Sequence, residues 1–511
     1  PLRAAQQLYQ NIDPQNGGFG KAPKFPNPSL LQLFLKLGIT HHQSVLVDHV
    51  LFTLKQMAKG GIYDQIGGGF HRYSTDAHWL VPHFEKMLYD NAQLLEIYTI
   101  GYQLSGFEGF KEVVRETVAY IAREMAAPNG GFYATQDADS EGVEGKFFLW
   151  RLPEISEVLN PEAAQLIRDY YQLTERGNFE GANILNRLAE PLEIFNDVEH
   201  HPQLQHRLKE AKEKLLQARE KRVKPFRDEK IITSWNGLMI GALAYVYQVF
   251  GREADYQLAR GAAEFILGSL RLPDGSLARI YKDGQAKVEA MLDDYAFLAQ
   301  GLITLYEADF NQMWLRRSLE LMERAMQKYS DGEGRYYIIG DTHNLVARPL
   351  SGYDQAIPSG VAIHCQNLLR LAAFTGRKDL YQEAVRILTA YSREMEKESW
   401  GFASLIGSLD LYYQGFQEFT FISEGNAVPE ILGKLREKSY IPYRILAWHN
   451  SLTPDGTAHP AGALFENRGV IQGKPTCYSC SSNKCLEPVT DWEHLKTSIN
   501  DFQNNLRNSG G

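Results

Sequence analysis

Cysteine, net positive charge and long apolar runs are what this chain has least of, and each scarcity excludes something. Four cysteines among 511 residues cannot staple a fold of this size, so the core has to be hydrophobic and the expected compartment is reducing and cytoplasmic. Lys and Arg number 53 against 62 Asp and Glu, a formal charge of −9. A nucleic-acid partner is excluded on that ground, because phosphate binding needs a basic face. The one dense basic run, Lys212 to Lys230, is interleaved with acids and reads as a solvated helix and linker. No stretch reaches the ~18 apolar residues of a membrane span. The longest candidate, Gly237 to Phe250, contains Tyr and Gln, so a soluble protein with no membrane partner is expected.

Aromatic residues are plentiful at 12%, with 27 tyrosines, 25 phenylalanines and 7 tryptophans. Most belong to a large core, but flat rings with polar edges also suit surfaces that stack on sugars. The 43 glycines are not scattered evenly. A glycine-aromatic mark recurs as NGGFG (16–20), KGGIYD (59–64), NGGFYA (129–134), PDGSLAR (273–279), GEGRYY (332–337) and SWGFAS (399–404). Most marks are followed by a loop and then an apolar helical pattern: Leu30 to Leu37, Phe84 to Tyr102, Trp235 to Phe250, Tyr295 to Glu307, Val361 to Phe374. A more charged, amphipathic helix returns to the next mark, as at Ser44 to Ala58, Phe110 to Met125, Tyr256 to Leu270, Met313 to Lys328 and Asp379 to Lys397.

Six repeats of a nearly all-apolar helix and a one-faced helix predict an all-α, (α/α)6 toroid of helical hairpins, with short β-hairpins in its loops. An open solenoid of the same hairpins is the alternative, since periodicity shows the repeat and not its closure. The predicted barrel occupies residues 1–475, with an insertion at about 153–230, and 476–511 form a C-terminal Cys-containing segment and polar tail.

In a toroid, the loops after the marks lead to inner-helix N-termini that share one face, so residues distant in sequence would meet there. The loop GGIYDQIGGGFHRYSTDAHWLVPHFEKMLYD, residues 60–90, is the most loaded. Gly67, Gly68 and Gly69 would let the backbone approach a ligand closely. His71 and Arg72 are then expected to point into the funnel, with His83 and Glu85 opening the inner helix beside them. The alternative is that His71 and Arg72 pair with the acids of QDADSEG and tie two loops together.

The catalytic candidates are His71, Arg72, His83, Glu85, Asp137, Asp293 and Asp294. The substrate-binding candidates are Tyr73, Trp79, Tyr89, Asp139, Trp235, Asn236, Tyr295 and Asp354. Two chemistries could use them. Glycoside hydrolysis needs a pair of carboxylates; sugar epimerisation or isomerisation needs bases such as His71 and His83, with Arg72 on developing oxyanion charge. Neither calls for a metal or cofactor, and the partner is a small sugar or glycoside. A non-catalytic binding or scaffold protein is the competing class, and a redox-linked role is the third. Acids and small polar residues at helix N-termini are also ordinary caps, which is the plainer account of Asp293, Asp294 and Ser359.

Cys477, Cys480 and Cys485 lie within GKPTCYSCSSNKCLEPV. CYSC has redox spacing but lacks the strand-to-helix turn that such pairs use. A metal site would need Cys365, His449 or His459 to fold back. Structural or incidental cysteines are the third account.

Taken together, GGIYDQIGGGFHRYSTDAHWLVPHFEKMLYDNAQL, QDADSEGVEGKFFLW, KIITSWNGLMIGALA, LDDYAFLAQGL and KPTCYSCSSNKCLEPV resemble the spermatogenesis-associated protein 20 family, whose bacterial members are called thioredoxin domain-containing proteins. The resemblance covers nearly the whole chain. It implies a helical part similar to six-hairpin glycosidases and N-acylglucosamine 2-epimerases. It also implies an upstream thioredoxin-like domain, so that this chain, opening at Pro1, would be the helical portion of a longer product. Cys480 and Cys485 match the family's paired C-terminal cysteines, while Cys477 is extra. The family's PSGN is Pro358, Ser359, Gly360 and Val361 here.

Overall fold

A computed structural model describes residues 1–192, 201–340, 347–425, 427–452, 459–481 and 484–499. Along the chain the helices are α1 (Leu2–Tyr9), α2 (Pro28–Thr40), α3 (Ser44–Lys59), α4 (Leu88–Ser105), α5 (Glu108–Tyr120), α6 (Leu152–Val158), α7 (Pro161–Tyr170), α8 (Pro202–Arg219), α9 (Thr233–Phe250), α10 (Glu253–Ser269), α11 (Leu292–Asp309), α12 (Gln312–Tyr329), α13 (Gly360–Thr375), α14 (Lys378–Ala390), α15 (Ser392–Lys397), α16 (Ala403–Gln414) and α17 (Glu430–Lys438). Two compact units divide the chain: Pro1–Gln10, Ser29–Val47 and Thr233 onward form one, Asn11–Pro28 and Asp48–Ile232 the other.

In the unit that contains the C-terminus, α9, α11, α13 and α16 pack side by side in that order, and α10, α12 and α14 each return along their hairpin partner. Their burial follows their sequences. In α11, LDDYAFLAQGLITLYEAD, residues on nearly every side are buried, from Leu292 and Tyr295 to Tyr306. In α12, burial is confined to Trp314, Leu315, Ser318, Leu321, Met322, Ala325 and Tyr329, one face at helical spacing. Asn311 caps α12 by accepting from Met313 N at 3.1 Å.

The strand Gln417–Ser423 follows α16; it pairs in parallel with Arg444–Asn450 through the crossover helix α17, and antiparallel with Thr476–Ser481, which pairs in turn with Lys484–Cys485. Strands from both sides of the boundary expected at 475/476 therefore share one sheet. That sheet and α17 are fastened to the C-terminal end of α11. The buried Arg436 donates to the Glu307 and Ala308 carbonyls, and Leu446 N donates to Glu307 Oε1 at 3.1 Å. A guanidinium on the last carbonyls of a helix satisfies orphan acceptors at the negative end of its dipole.

In the other unit α4 is the nearly all-buried helix and α5 its one-faced partner, while Tyr98 OH donates to Leu54 O of α3 at 2.7 Å. The helix begins at Leu88 and not at Phe84. Lys86–Met87 is a strand paired with Thr135–Gln136, which pairs with Arg227–Asp228, and Pro82–His83 pairs with Tyr73–Ser74. Backbone bonds across strands thus take residues 82–87 out of the helix, although Phe84, Met87 and Leu88 fit its apolar pattern. α6, α7 and α8 enclose a separate apolar cluster of Trp150, Ile155, Leu159, Ile167, Tyr171, Leu208 and Leu215, most of it within residues 153–230.

Candidate functional site

The 60–90 loop sends its side chains to two sides. On the buried side, Asp64 takes two bonds from Arg219, at 2.8 and 2.9 Å, and one from Lys86 Nζ at 2.8 Å. Lys86 also donates to Gly68 O at 2.8 Å, and its ammonium lies 4.3 Å from the Tyr120 ring centroid. Burial alone would raise the Asp64 carboxyl, but Arg219 and Lys86 overcome it and hold the group well below the usual carboxylate range. Burial takes the Lys86 ammonium down to about 8 against the pull of Asp64.

The three glycines serve this cluster. A Cβ on Gly67 would stand 1.9 Å from Arg219 Nη2, one on Gly68 2.3 Å from Glu116 O, and one on Gly69 2.6 Å from the Tyr120 ring. Gly68 and Gly69 also have φ of +75° and +79°, where glycine is at no disadvantage. The close approach is to the protein's own helices.

His71 belongs to the same buried side, contrary to the expectation that it faces a funnel. It is 2% exposed, Nδ1 donates to Phe84 O at 2.8 Å, and its ring packs edge-on against Phe84 and Phe148. Burial, reinforced by the Lys86 charge, takes its pKa down to about 3. It is a neutral core imidazole. Trp79 is likewise fully buried, its Nε1 donating to Asn16 O at 2.8 Å, so it is no sugar-stacking wall.

The other side of the loop is half-exposed and polar. Arg72 Nη1 donates to Glu85 Oε2 at 3.2 Å and the guanidinium also bonds Tyr89. His83 Nδ1 donates to Glu144 Oε1 at 2.7 Å, while its Nε2 lies 3.7 Å from Glu85 Oε2. Tyr73 stacks on the His83 ring at 5.2 Å between centroids, and Phe25 packs on Tyr73 at 4.8 Å. Beneath them Asp90, buried in the first turn of α4, has an Oδ2 without a hydrogen-bond partner; burial, with Glu85 adding and Arg72 opposing, pushes its carboxyl well above the usual range. Arg72, Tyr73, His83, Glu85 and Tyr89 are thus assembled as one cluster.

Asp137 and Asp139, both exposed, are not its acids. The acid that reaches His83 is Glu144, brought by the hairpin in which Asp139 pairs with Glu144. Glu144 lies in the quoted QDADSEGVEGKFFLW, but its selection over Asp139 depends on which hairpin strand faces His83. Phe25, Asp64, Lys86 and Arg219 were not candidates either, and Arg219 lies 155 residues from Asp64.

The second group of candidates sits at the N-termini of α9, α11, α13 and α16, where each acid is shared between neighbouring helices. Asp294, fully buried, accepts from Ser234 N at 2.9 Å, Met291 N at 2.8 Å and Arg279 Nη1 at 2.9 Å. Asp354 accepts from Ser359 N and Ser404 N, each at 2.8 Å, and so joins the starts of α13 and α16. Burial raises it to about 6 in spite of those bonds. Asp293 accepts from Gly360 N, and a side chain at Gly360 would collide with Asp293 Oδ1. Burial, with the Asp294 charge, raises Asp293 to about 6. Ser359 caps α13 by accepting from Ala362 N. Tyr295 is buried with its hydroxyl accepting from Leu277 N at 3.0 Å, and Asn236 is fully buried, so neither is a wall; Trp235 is half-buried.

Spermatogenesis-associated protein 20 of Homo sapiens is 33% identical to the chain over 537 residues, 96% of this chain and 68% of the human protein. The chain belongs to the spermatogenesis-associated protein 20 family. The Rattus norvegicus protein matches equally, at 33% over 96% of this chain and 67% of its own length. No protein-family model matches. Two solved structures share the family member's fold: a sugar epimerase from a ruminal bacterium (TM-score 0.50, 10% identity, 76% of this chain and 83% of that one) and cellobiose 2-epimerase from Bacillus thermoamylovorans B4167 (TM-score 0.51, 8% identity, 76% and 86%). The fold is the all-α (α/α)6 toroid with short β-hairpins in its loops, in place of the open solenoid. No helix among the described residues is long and apolar enough to cross a membrane.

Proposed function

We propose that this family member acts on a small sugar by moving a proton, as an epimerase or isomerase, at the Arg72–Tyr73–His83–Glu85–Tyr89–Glu144 cluster. The observation that carries the reading is His83. Its Nδ1–H is committed to Glu144, which fixes the tautomer and leaves Nε2 as the basic nitrogen, turned toward the Arg72–Glu85 pair. An imidazole so held can take a proton from a carbon beside a carbonyl, and the Arg72 guanidinium can steady the enolate oxygen that forms. Tyr73 and Phe25 offer a flat wall next to the base. The epimerase folds agree with this class.

A second reading, glycoside hydrolysis, draws on Asp293, whose carboxyl at about 6 suits a general acid.

Proton transfer at carbon leaves a mark. Incubated in D2O with a panel of aldoses, ketoses, cellobiose and N-acetyl sugars, the chain is expected to place deuterium next to the carbonyl of its substrate, read by NMR. His83→Asn should slow the exchange by about 10²–10⁴-fold, and His71→Gln should not if it folds. Full activity in His83→Asn, or no sugar exchanged at all, overturns the epimerase reading. Release of new reducing ends that requires Asp293 would establish hydrolysis in its place.

A further inference from the structure

The three C-terminal cysteines have unlike environments. Cys480 and Cys485 form a disulfide across the paired strands Thr476–Ser481 and Lys484–Cys485. Cys477, which completes the CYSC spacing, is not their partner; it is fully buried, and burial raises its thiol far above the ordinary value. In this disulfide form two of the three sulfurs are bonded to each other. The disulfide is also asymmetric. Cys485 is exposed and Cys480 is buried, so Cys485 is the residue more open to an incoming thiolate.

The buried sulfur has a cationic neighbour. Arg468 Nη2 donates to Cys480 Sγ at 3.4 Å, and its guanidinium lies 5.5 Å from the Tyr478 ring centroid. The loop carrying Arg468 is pinned there: Tyr478 OH donates to Gly469 O at 2.9 Å, and Gly469 N donates back to Tyr478 OH at 3.1 Å. Arg468 Nη1 is buried with no hydrogen-bond partner. Glu418, opposite Cys480 on the adjacent strand, is the acid that interacts with this arginine, at longer range.

We propose that Cys480–Cys485 is a reversible thiol–disulfide exchange site for a dithiol reductant, with Cys485 attacked and Cys480 the leaving group. A thiolate of the reductant bonds to Cys485 Sγ, the Sγ–Sγ bond breaks, and its electron pair leaves on Cys480 Sγ as a thiolate held by Arg468. The reductant's second thiolate then attacks its own sulfur in the mixed disulfide. The reductant departs as a disulfide, oxidised by two electrons, and Cys485 leaves as a thiolate that takes up a proton. A leaving sulfur stabilised as thiolate departs faster, which is what the guanidinium provides. This site does not depend on the sugar reading.

The test uses the oxidised chain and glutathione as a single-thiol probe, followed by alkylation and peptide mass spectrometry. Glutathione is expected on Cys485 and the alkyl group on Cys480. Glutathione on Cys480, or no adduct while the protein stays folded, overturns the proposal. In dithiothreitol, Arg468→Gln should slow reduction about tenfold and Arg468→Lys should restore most of the rate. An unchanged rate in Arg468→Gln refutes the role of the arginine. Near-UV circular dichroism should persist through reduction and reoxidation; its loss in step with the disulfide would mark a structural staple and end the proposal.

Discussion

His71 and Arg72 are neighbours in sequence and opposites in environment. His71 turns inward to the side that holds Asp64, Lys86 and Arg219, and is neutral there. Arg72 turns outward to Glu85 and Tyr89, beside His83 and Glu144. The backbone explains the split, since Arg72 N donates to Glu85 O at 2.8 Å and successive residues of such extended segments face opposite ways. One loop rich in Gly, His, Arg and acids thus holds two polar clusters of different exposure. The inward one is a closed ionic core that fixes the loop. The outward one holds Arg72, Tyr73, His83 and Glu85 half-exposed.

The difference predicts unequal responses to loss of a charge. Asp64→Asn removes the acid shared by two buried cations and should destabilise the fold by about 3–5 kcal/mol, because a buried charge left unpaired is costly; urea unfolding at pH 7 measures it. Next in size, Gly68→Ala puts a Cβ against Glu116 O at positive φ and should cost about 2 kcal/mol or more, read from the same unfolding curves.

The comparison extends to Asp293, desolvated like the inner cluster but without a buried cation of its own. Its folded pKa of about 6 exceeds the unfolded 3.8, so the native state binds the proton more tightly. Its contribution to stability is therefore greatest below pH 4 and is lost as pH rises through 6, a loss of about 3 kcal/mol in all. Asp293→Asn should abolish that loss, so its unfolding midpoint should fall less than the parent's between pH 4 and pH 8. The smallest effect belongs to Glu85→Gln, whose half-exposed ion pair is worth under about 1 kcal/mol. A loss from Glu85→Gln as large as that from Asp64→Asn would erase the distinction between the two sides.

The helical architecture was legible because alternation between all-round and one-faced apolar helices is a property of each segment on its own. The start of α4 was not, since Phe84 and Met87 continue the apolar pattern while strand pairing with Thr135–Gln136 decides the backbone. The cap roles of Asp294 and Ser359 could be read locally, but the sharing of Asp354 between Ser359 and Ser404 could not, because it joins two helix starts. The Gly67–Gly69 triplet announced a close approach without saying to what. Its answer involves Arg219, which arrives from the far end of α8. QEFTFIS and RILAWHN carry no clear strand signal, because both are buried on two faces and lack the alternation that marks a half-exposed strand.

The C-terminal sheet also has an order in time. The strand Gln417–Ser423 and its parallel neighbour Arg444–Asn450 leave the ribosome first and can pair through α17 as soon as both are out. The other edge of Gln417–Ser423, where Phe419 and Phe421 end fully buried, has no partner until Thr476–Ser481 has been made, roughly 60 residues later and about 3–12 s at ordinary synthesis rates. During that interval the nascent chain presents an unpaired apolar strand edge, the kind of surface that invites wrong pairing. The strand that closes it, Thr476–Ser481, is followed among the described residues by only one further strand, the short Lys484–Cys485.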